Sequence, residues 1–366
     1  MTSNSPTPIL ITAIGGGGHG EQILKALRLA EAGSYRIIGA DASPHCPQFE
    51  LVDQAVVLPR ADSPEFLDAV LHTAKSFGAK ALFHGCEPEL KIYAAQRERI
   101  EKEGIFLPVN PKSVIDTCMN KVATSRFLVE SGFSPPRFKT IHGLEDIEKI
   151  DWFPVVVKPY VGSGGSANCY IVQSAKALRS LYGYLEAADL MTGLMIQEYV
   201  GTPEQEYTVG VLLDMDGNLI NSIAVRRHLK SALNIRIATR NLTGRADLGP
   251  KLVVSSGVSH GDVGRFPEVT GPCEKLALAL GARGAINIQC RLTENGMKVF
   301  EINPRFSGTT SIRAMMGYNE PDVLLRCHLR SEKIEKHFAY QSGTVLRSLT
   351  ETLVRQGATS HWNELK

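Results

Sequence analysis

Apolar and polar positions follow one rhythm up to about residue 151 and another beyond it. Ile9 to Ile14 is a continuous apolar run that predicts a buried strand, Gly20 to Ala32 carries helical spacing, and Tyr35 to Ala40 predicts a second strand. Gln54 to Leu58 and Ala81 to His84 continue as strands. Between them a helix is expected from Ser63, its N-cap, to Phe77, closed by Gly78. Strands alternating with helices imply right-handed crossovers and a parallel sheet. Asn110 to Ser131 predicts one further helix, ended by Gly132 and the Ser134-Pro-Pro136 boundary.

After Asp151 the pattern becomes that of hairpins. Phe153 to Pro159 and Cys169 to Val172 predict two antiparallel strands across a glycine-rich loop, followed by a helix from Ala175 to Ala188 and a strand from Leu194 to Val200. Glu206 to Asp214 and Leu219 to Arg226 predict a second hairpin, and Pro272 to Leu280 a helix. The tail beyond Glu332 carries few signals, and the segment Asn234 to Pro250 reads as a loop.

One pair of strands has a chemical face. Side chains alternate along a strand, so Asn287, Gln289 and Arg291 share one side of Ala285–Arg291 while Ile286, Ile288 and Cys290 take the other. On Met297–Arg305, Glu301 and Asn303 sit together, opposite Phe300 and Ile302. A three-residue loop of Glu294, Asn295 and Gly296 would pair Gln289 with Glu301. The result is one carboxylate and two amides beside Arg305, a hard-oxygen set that suits Mg²⁺.

Length and charge narrow the field. A chain of 366 residues exceeds what one simple core supports, so two or three domains are expected. A formal net charge of +2 gives no reason to expect nucleic acid or an anionic membrane as partner. The seven cysteines are dispersed without a CxxC, which reads as reduced thiols of a cytoplasmic protein; neither a signal peptide nor a membrane-spanning run is expected.

Two glycine-rich segments bear on phosphate chemistry. Gly15-Gly-Gly-Gly-His-Gly20 fits G-x-G-x-x-G between a strand and a helix, with Asp41 at the end of the next strand, as in a dinucleotide site. The same glycines could serve only a tight turn, or the helix N-terminus could hold a substrate carboxylate. Gly162-Ser163-Gly164-Gly165-Ser166 lies between two strands and lacks a following Lys-Ser or Lys-Thr, so it predicts a hairpin flap rather than a Walker loop. Its backbone amides, with Lys158 four residues earlier, could close on nucleotide phosphates.

The combination resembles the ATP-grasp superfamily, particularly its carbamoyl-phosphate-synthase-like and biotin-carboxylase-like members, over about Asn120 to Gly317. The resemblance implies an α/β protein, α+β in its catalytic part: an N-terminal parallel-sheet domain (1–115), a small lobe with the flap (116–200), a lobe with the metal site (201–330) and a tail (331–366). It implies that Lys121, Lys158 and Gly162–Ser166 hold ATP phosphates, with Asn120 standing where an Asp is usual. Gln197, Glu198, Tyr199 and Val200 would form the adenine hinge and Glu206 would bond the ribose. Gln289, Glu301 and Asn303 would bind Mg²⁺, for which Mn²⁺ is a substitute. Arg305 would hold the acyl-phosphate region, with Arg226 and Lys230 as charge stabilisers. Arg240 and Arg313 are candidate substrate-carboxylate contacts.

The implied chemistry is an ADP-forming ligase that activates a carboxylate as an acyl phosphate and joins it to an amine, both small molecules. Phosphorylation of bicarbonate or carbamate is the nearest variant. An NAD-dependent oxidoreductase using Gly15–Gly20 and Asp41 is the alternative from another class, and a non-catalytic nucleotide-binding regulator a third. Many relatives pair, so a homodimer is expected.

Overall fold

The computed structural model describes residues 5–162, 168–191, 193–353 and 359–365. The chain opens with β1 (Thr7–Ile11), α1 (His19–Arg28), β2 (Tyr35–Asp41), β3 (Gln54–Val57), α2 (Phe66–Phe77) and β4 (Ala81–Phe83). These strands form a parallel sheet in the order β3-β2-β1-β4, with Ile9, Ile11, Ile37 and Phe83 fully buried. Buried on both faces, such strands read as unbroken apolar runs. Two helices follow, α3 (Glu87–Ala95) and α4 (Arg97–Lys102).

The helix expected over 110–131 is two, α5 (Lys112–Cys118) and α6 (Lys121–Glu130). Asn120 breaks it: its side-chain oxygen accepts the N–H groups of Val122 and Ala123 at 3.0 and 3.1 Å, capping α6. Asparagine caps about as well as aspartate, so the residue in this position keeps the local geometry.

The next sheet is antiparallel. It comprises β5 (Phe138–Thr140), β6 (Val155–Pro159), β7 (Tyr170–Val172) and β8 (Leu194–Glu198), in the order β5-β8-β6-β7, with α7 (Leu144–Glu148) and α8 (Ala175–Ala187) packed on it. Val155, Val157 and Ile196 face these helices, which leaves Val156, Lys158 and Gln197 on the opposite side.

The remaining strands are β9 (Glu206–Leu213), β10 (Leu219–Arg227), β11 (Ile235–Arg240), β12 (Lys251–Ser255), β13 (Gly261–Gly264), β14 (Ala285–Thr293), β15 (Gly296–Asn303), β16 (Gly343–Val345) and β17 (Thr359–His361); the helices are α9 (Pro267–Ala279), α10 (Thr310–Met315) and α11 (Glu320–Leu329). A six-stranded sheet runs β15-β14-β9-β10-β13-β16. Its back face, including Val209, Val211, Ile286, Ile288 and Cys290, packs on α9. The segment read as a loop over 234–250 instead contributes β11, which pairs with β12. The segment 331–366 carries more structure than its pattern suggests: β16 joins the six-stranded sheet and β17 extends the first sheet beside β3.

Gln289 pairs with Glu301 across β14 and β15, but by another route than a three-residue loop. The turn has two residues, since Thr293 pairs with Gly296, and a bulge at Phe300 shifts the register by one between Cys290 and Gln289. A bulge inserts one residue on one strand, so the two differences cancel and the polar faces still coincide.

Further along the front face lies a buried charge pair. Arg313 on α10 is 0 % exposed; it donates to Glu320 at 3.1 Å and to Asn287 at 2.7 Å. This commitment removes Arg313 from the candidate substrate contacts. Gly210 makes room for it, because a Cβ there would lie 2.2 Å from the guanidinium. Removing one partner of a buried pair strands the other charge. Glu320→Ala is therefore expected to cost about 3–5 kcal/mol in urea unfolding; a loss below about 1 kcal/mol would mean the pair is not sustaining the fold.

Candidate functional site

Between the antiparallel sheet and the front face of the six-stranded sheet lies a cleft lined by Lys121, Lys158, Gln197–Val200, Gln289, Arg291 and Glu301. Part of its lining is apolar: Val156, Tyr199 and Val254 border it, and the buried Leu248 and Leu252 pack with Tyr199. Its outer end is charged. The shape suits a flat aromatic group at one end and an anion at the other.

Lys158 is buried on β6 and donates to Gln197 Oε1 at 2.7 Å. Burial first, and then the Lys121 cation, push its ammonium down to about 8, against the pull of Glu301. A lysine so placed gains most from a polyanion that restores its charge. Lys121 opens α6 and reaches the Gly162 carbonyl at 3.4 Å. The expected flap residues Ser163, Gly164, Gly165 and Ser166 lie outside the described residues.

Across the cleft, Gln289 donates to Glu301 at 3.2 Å, and the Asn303 side-chain oxygen accepts from Arg305 at 3.1 Å. One carboxylate flanked by two amides is a donor set that fits Mg²⁺, which keeps waters and takes phosphate oxygens for its other positions. Which way the Gln289 amide points is an assignment from the hydrogen-bond network, and a half-turn would present its oxygen to a cation. Among the described residues no group of three His, Cys, Asp or Glu side chains gathers in the manner of a Zn²⁺ site.

Several expected roles change on seeing the side chains. Glu206 is 1 % exposed and is held on both oxygens, by Arg227 at 3.0 Å and Arg291 at 2.8 Å. Burial alone would raise its carboxyl, yet Arg291 and Arg227 keep it below the ordinary value. It borders the cleft, but its charge is spent on binding β9, β10 and β14 together rather than left for a ribose. Arg226 points away from the cleft: it pairs with Asp262 at 2.8 Å and lies over the Phe266 ring on the α9 side. Arg227, its neighbour, is the one on the cleft side, as alternation requires. Lys230 and Arg240 are exposed, and neither lines this cleft.

The hinge residues fall at the end of β8. Tyr199 hydroxyl donates to the Val253 carbonyl at 3.2 Å, and Arg291 stacks over its ring at 4.5 Å while also donating to the Val200 carbonyl. Glu198 faces Arg137 at 3.6 Å and Arg245 at 3.9 Å. Arg291 was placed on the polar face by its parity, but its task of tying the hinge to Glu206 was not visible in the pattern. Cys169 also lines the cleft, where burial raises its thiol.

The first glycine-rich turn behaves differently from a dinucleotide site. Asp41 accepts the Gly15 N–H at 2.8 Å on one oxygen and the Ser43 N–H at 2.9 Å on the other. Its carboxylate thus fastens the turn to the end of β2 instead of awaiting a ribose.

Comparisons with known proteins agree with this architecture. Residues 9–108 match the family described as "PylC-like, N-terminal domain", and residues 255–352 the one described as "ATP-grasp in the biosynthetic pathway with Ter operon". Among curated proteins the chain is 26% identical over 261 residues to the carbamoyl phosphate synthase large chain, C-terminal section, of Aquifex aeolicus, covering 66% of this chain and 45% of that one. It is 24% identical to the carbamoyl phosphate synthase large chain of a Thermoanaerobacter species, covering 67% of this chain and 22% of that one. The chain thus spans between about a fifth and a half of the curated relatives' length. Two solved structures share its fold: an L-amino acid ligase from Bacillus licheniformis (TM-score 0.61, 18% identity, 90% of this chain and 75% of that one) and biotin carboxylase from Campylobacter jejuni in a β,γ-ATP complex (TM-score 0.62, 17% identity, 91% and 71%). No helix among the described residues is long and apolar enough to cross a membrane. A PylC-like match thus precedes an ATP-grasp match along the chain, and the cleft lies between the two larger antiparallel sheets that follow the PylC-like segment.

Proposed function

We propose that this chain is an ATP- and Mg²⁺-dependent ligase that activates a small carboxylate as an acyl phosphate, releases ADP, and joins the acid to an amine. The observation that carries this reading is the opposition of charge in the cleft: Lys158 and Lys121 on one side, Gln289 and Glu301 on the other, with the apolar Val156, Tyr199 and Val254 also lining it. The carbamoyl-phosphate-synthase relatives favour a second reading, in which bicarbonate or carbamate is the acid phosphorylated.

In the leading reading the adenine lies against Tyr199, Val254 and Val156, with the Glu198–Val200 backbone at its edge. Lys158 and Lys121 hold the phosphates. A bound Mg²⁺ held by Glu301, Gln289 and Asn303 would supply charge neutralisation for the phosphates. An oxygen of the acid attacks the γ-phosphorus and the bond to ADP breaks; the amine nitrogen then attacks the acyl carbon, phosphate leaves, and the amine gives up a proton. Positioning and charge neutralisation do most of this work. Arg305 orients the acid, and exclusion of water protects the acyl phosphate. The functional units follow as 1–115, 116–200, 201–330 and 331–366.

Lys158→Ala and Glu301→Ala are each expected to lower acid- and amine-stimulated ADP release about 10²–10³-fold. Turnover left intact in either variant would remove that residue from the site. Arg226→Ala, which lies on the far side of the sheet, is expected to stay within about threefold of the parent in the same assay; a collapse of turnover there would restore it to the machinery.

Nucleotide binding carries a proton signature as well. Lys158 titrates near 8 without ligand, and phosphates raise that value, so the complex takes up protons above about pH 8. Calorimetric titration with MgATP near pH 8.5 should show binding heat that varies with the buffer's ionisation enthalpy, and affinity that falls as pH rises further. Heat independent of buffer would contradict this role for the lysine.

A further inference from the structure

The strands β11 and β12 form a two-stranded ribbon outside the larger sheets. Residues 228–255, which contain it, carry five cations (Lys230, Arg236, Arg240, Arg245 and Lys251) and one anion, Asp247, in a chain whose net charge is +2. Arg245 is spent on Asp247 and Glu198. The other four cations are exposed, and among the described residues none of them forms an ion pair.

Two of these cations oppose each other. Arg240 lies directly across from Lys251 in the antiparallel register. Side chains so placed stand about 5 Å apart at Cβ, and like charges there destabilise the pair. Exposure alternates along β11, so Arg236 shares the solvent face of Arg240, about 13 Å away along the strand. Nothing among the described residues offsets the repulsion, which points to an anion from outside the chain.

The ribbon borders the nucleotide cleft. Val253, Val254 and Ser255 of β12 line it. The Gln173 side chain, just beyond β7, donates to the Arg240 carbonyl at 2.9 Å and accepts the Leu242 N–H at 2.7 Å, which fixes the ribbon against the four-stranded sheet. Lys251 lies two residues from Val253, about 7 Å along the strand, inside the roughly 10 Å over which a charge is felt at 0.1 M salt. The field enters the cleft as well. Burial raises the Cys169 thiol there, and Arg236 is among the cations that pull it back, after Lys158 and Lys121.

We propose that the β11–β12 ribbon is an electrostatic guide for the nucleotide, its exposed cations drawing the Mg²⁺-bound triphosphate into the cleft without holding it once bound. This deepens the ligase reading and rests on it. Charge complementarity selects the occupant, because a triphosphate keeps net negative charge with its Mg²⁺ bound. Lys158 is buried inside the cleft, so an approaching polyanion meets the ribbon first. Charges at a rim change how fast a ligand arrives and how that rate depends on salt, and leave its departure nearly unchanged.

The test is stopped-flow association of a fluorescent nucleotide, methylanthraniloyl-ATP with Mg²⁺, to the full chain from about 20 to about 300 mM NaCl, which shortens the Debye length about fourfold. The parent's association rate is expected to fall about tenfold over that range. Arg236→Gln, Arg240→Gln and Lys251→Gln combined should lower the rate about fivefold at the low-salt end and flatten its salt dependence, with dissociation within about twofold of the parent. All three positions are exposed and a repulsive pair is removed, so this variant should unfold at the parent's temperature or above. A control of equal charge change on exposed positions of the N-terminal unit, Lys75→Gln, Lys80→Gln and Lys102→Gln, should leave association within about twofold of the parent. A ribbon variant that associates as fast as the parent at low salt overturns the proposal. So does a control variant slowed to the same degree, or an effect confined to dissociation. A parent that shows no Mg²⁺-dependent binding of the analogue defeats the ATP-dependent reading and the guide with it, whereas binding with unsteered association defeats the guide alone.

Discussion

The pairing of β14 with β15 is the constraint on which the rest depends. Its back face is apolar and pressed onto α9, so a slip of one residue would turn Ile286, Ile288 and Cys290 outward and bury Gln289 and Asn287 instead. That penalty fixes the register, and the register fixes which polar groups stand side by side. The two-residue turn and the bulge at Phe300 act together: either alone would separate Gln289 from Glu301.

Buried charges carry the same logic across the sheet. Arg227, Glu206 and Arg291 come from β10, β9 and β14 and are nearly sealed from water, with side-chain exposures of 2, 2 and 6 %. Each would be costly alone and is tolerated because it is bonded. The cluster also reaches the hinge, since Arg291 stacks on Tyr199 and bonds the Val200 carbonyl. It thereby ties the rigid sheet to the strand that borders the nucleotide end of the cleft. Farther along the same face Arg313 and Glu320 repeat the arrangement under α10. The front face thus sets buried charges beside apolar residues such as Leu212, Ile223 and Val225, and its part between the two sheets lines the cleft.

Legibility in the sequence followed periodicity. The parallel sheet, both hairpins and the polar faces of β14 and β15 could be read because one face of each element is plainly apolar or the runs are bounded by glycine and proline. Arg226 is named by the resemblance of the basic run 226–230, and with both faces of β10 covered no alternation in Ile-Ala-Val separates it from Arg227. Glu206 matches a ribose ligand by its place shortly after Val200, while the arginines that hold it lie 21 and 85 positions away and only the folded sheet brings them near. β16 and β17 have three residues each, too few to show a period.

The central claim is that triphosphate and divalent cation meet between Lys158 and the β14–β15 pair. Crystals grown with a non-hydrolysable ATP analogue and Mn²⁺ address it directly through the anomalous signal of the metal. The account predicts a peak about 2–2.5 Å from oxygens of Glu301, Gln289 or Asn303, with the adenine against Tyr199. A nucleotide bound elsewhere, or a metal peak remote from Glu301, would contradict it.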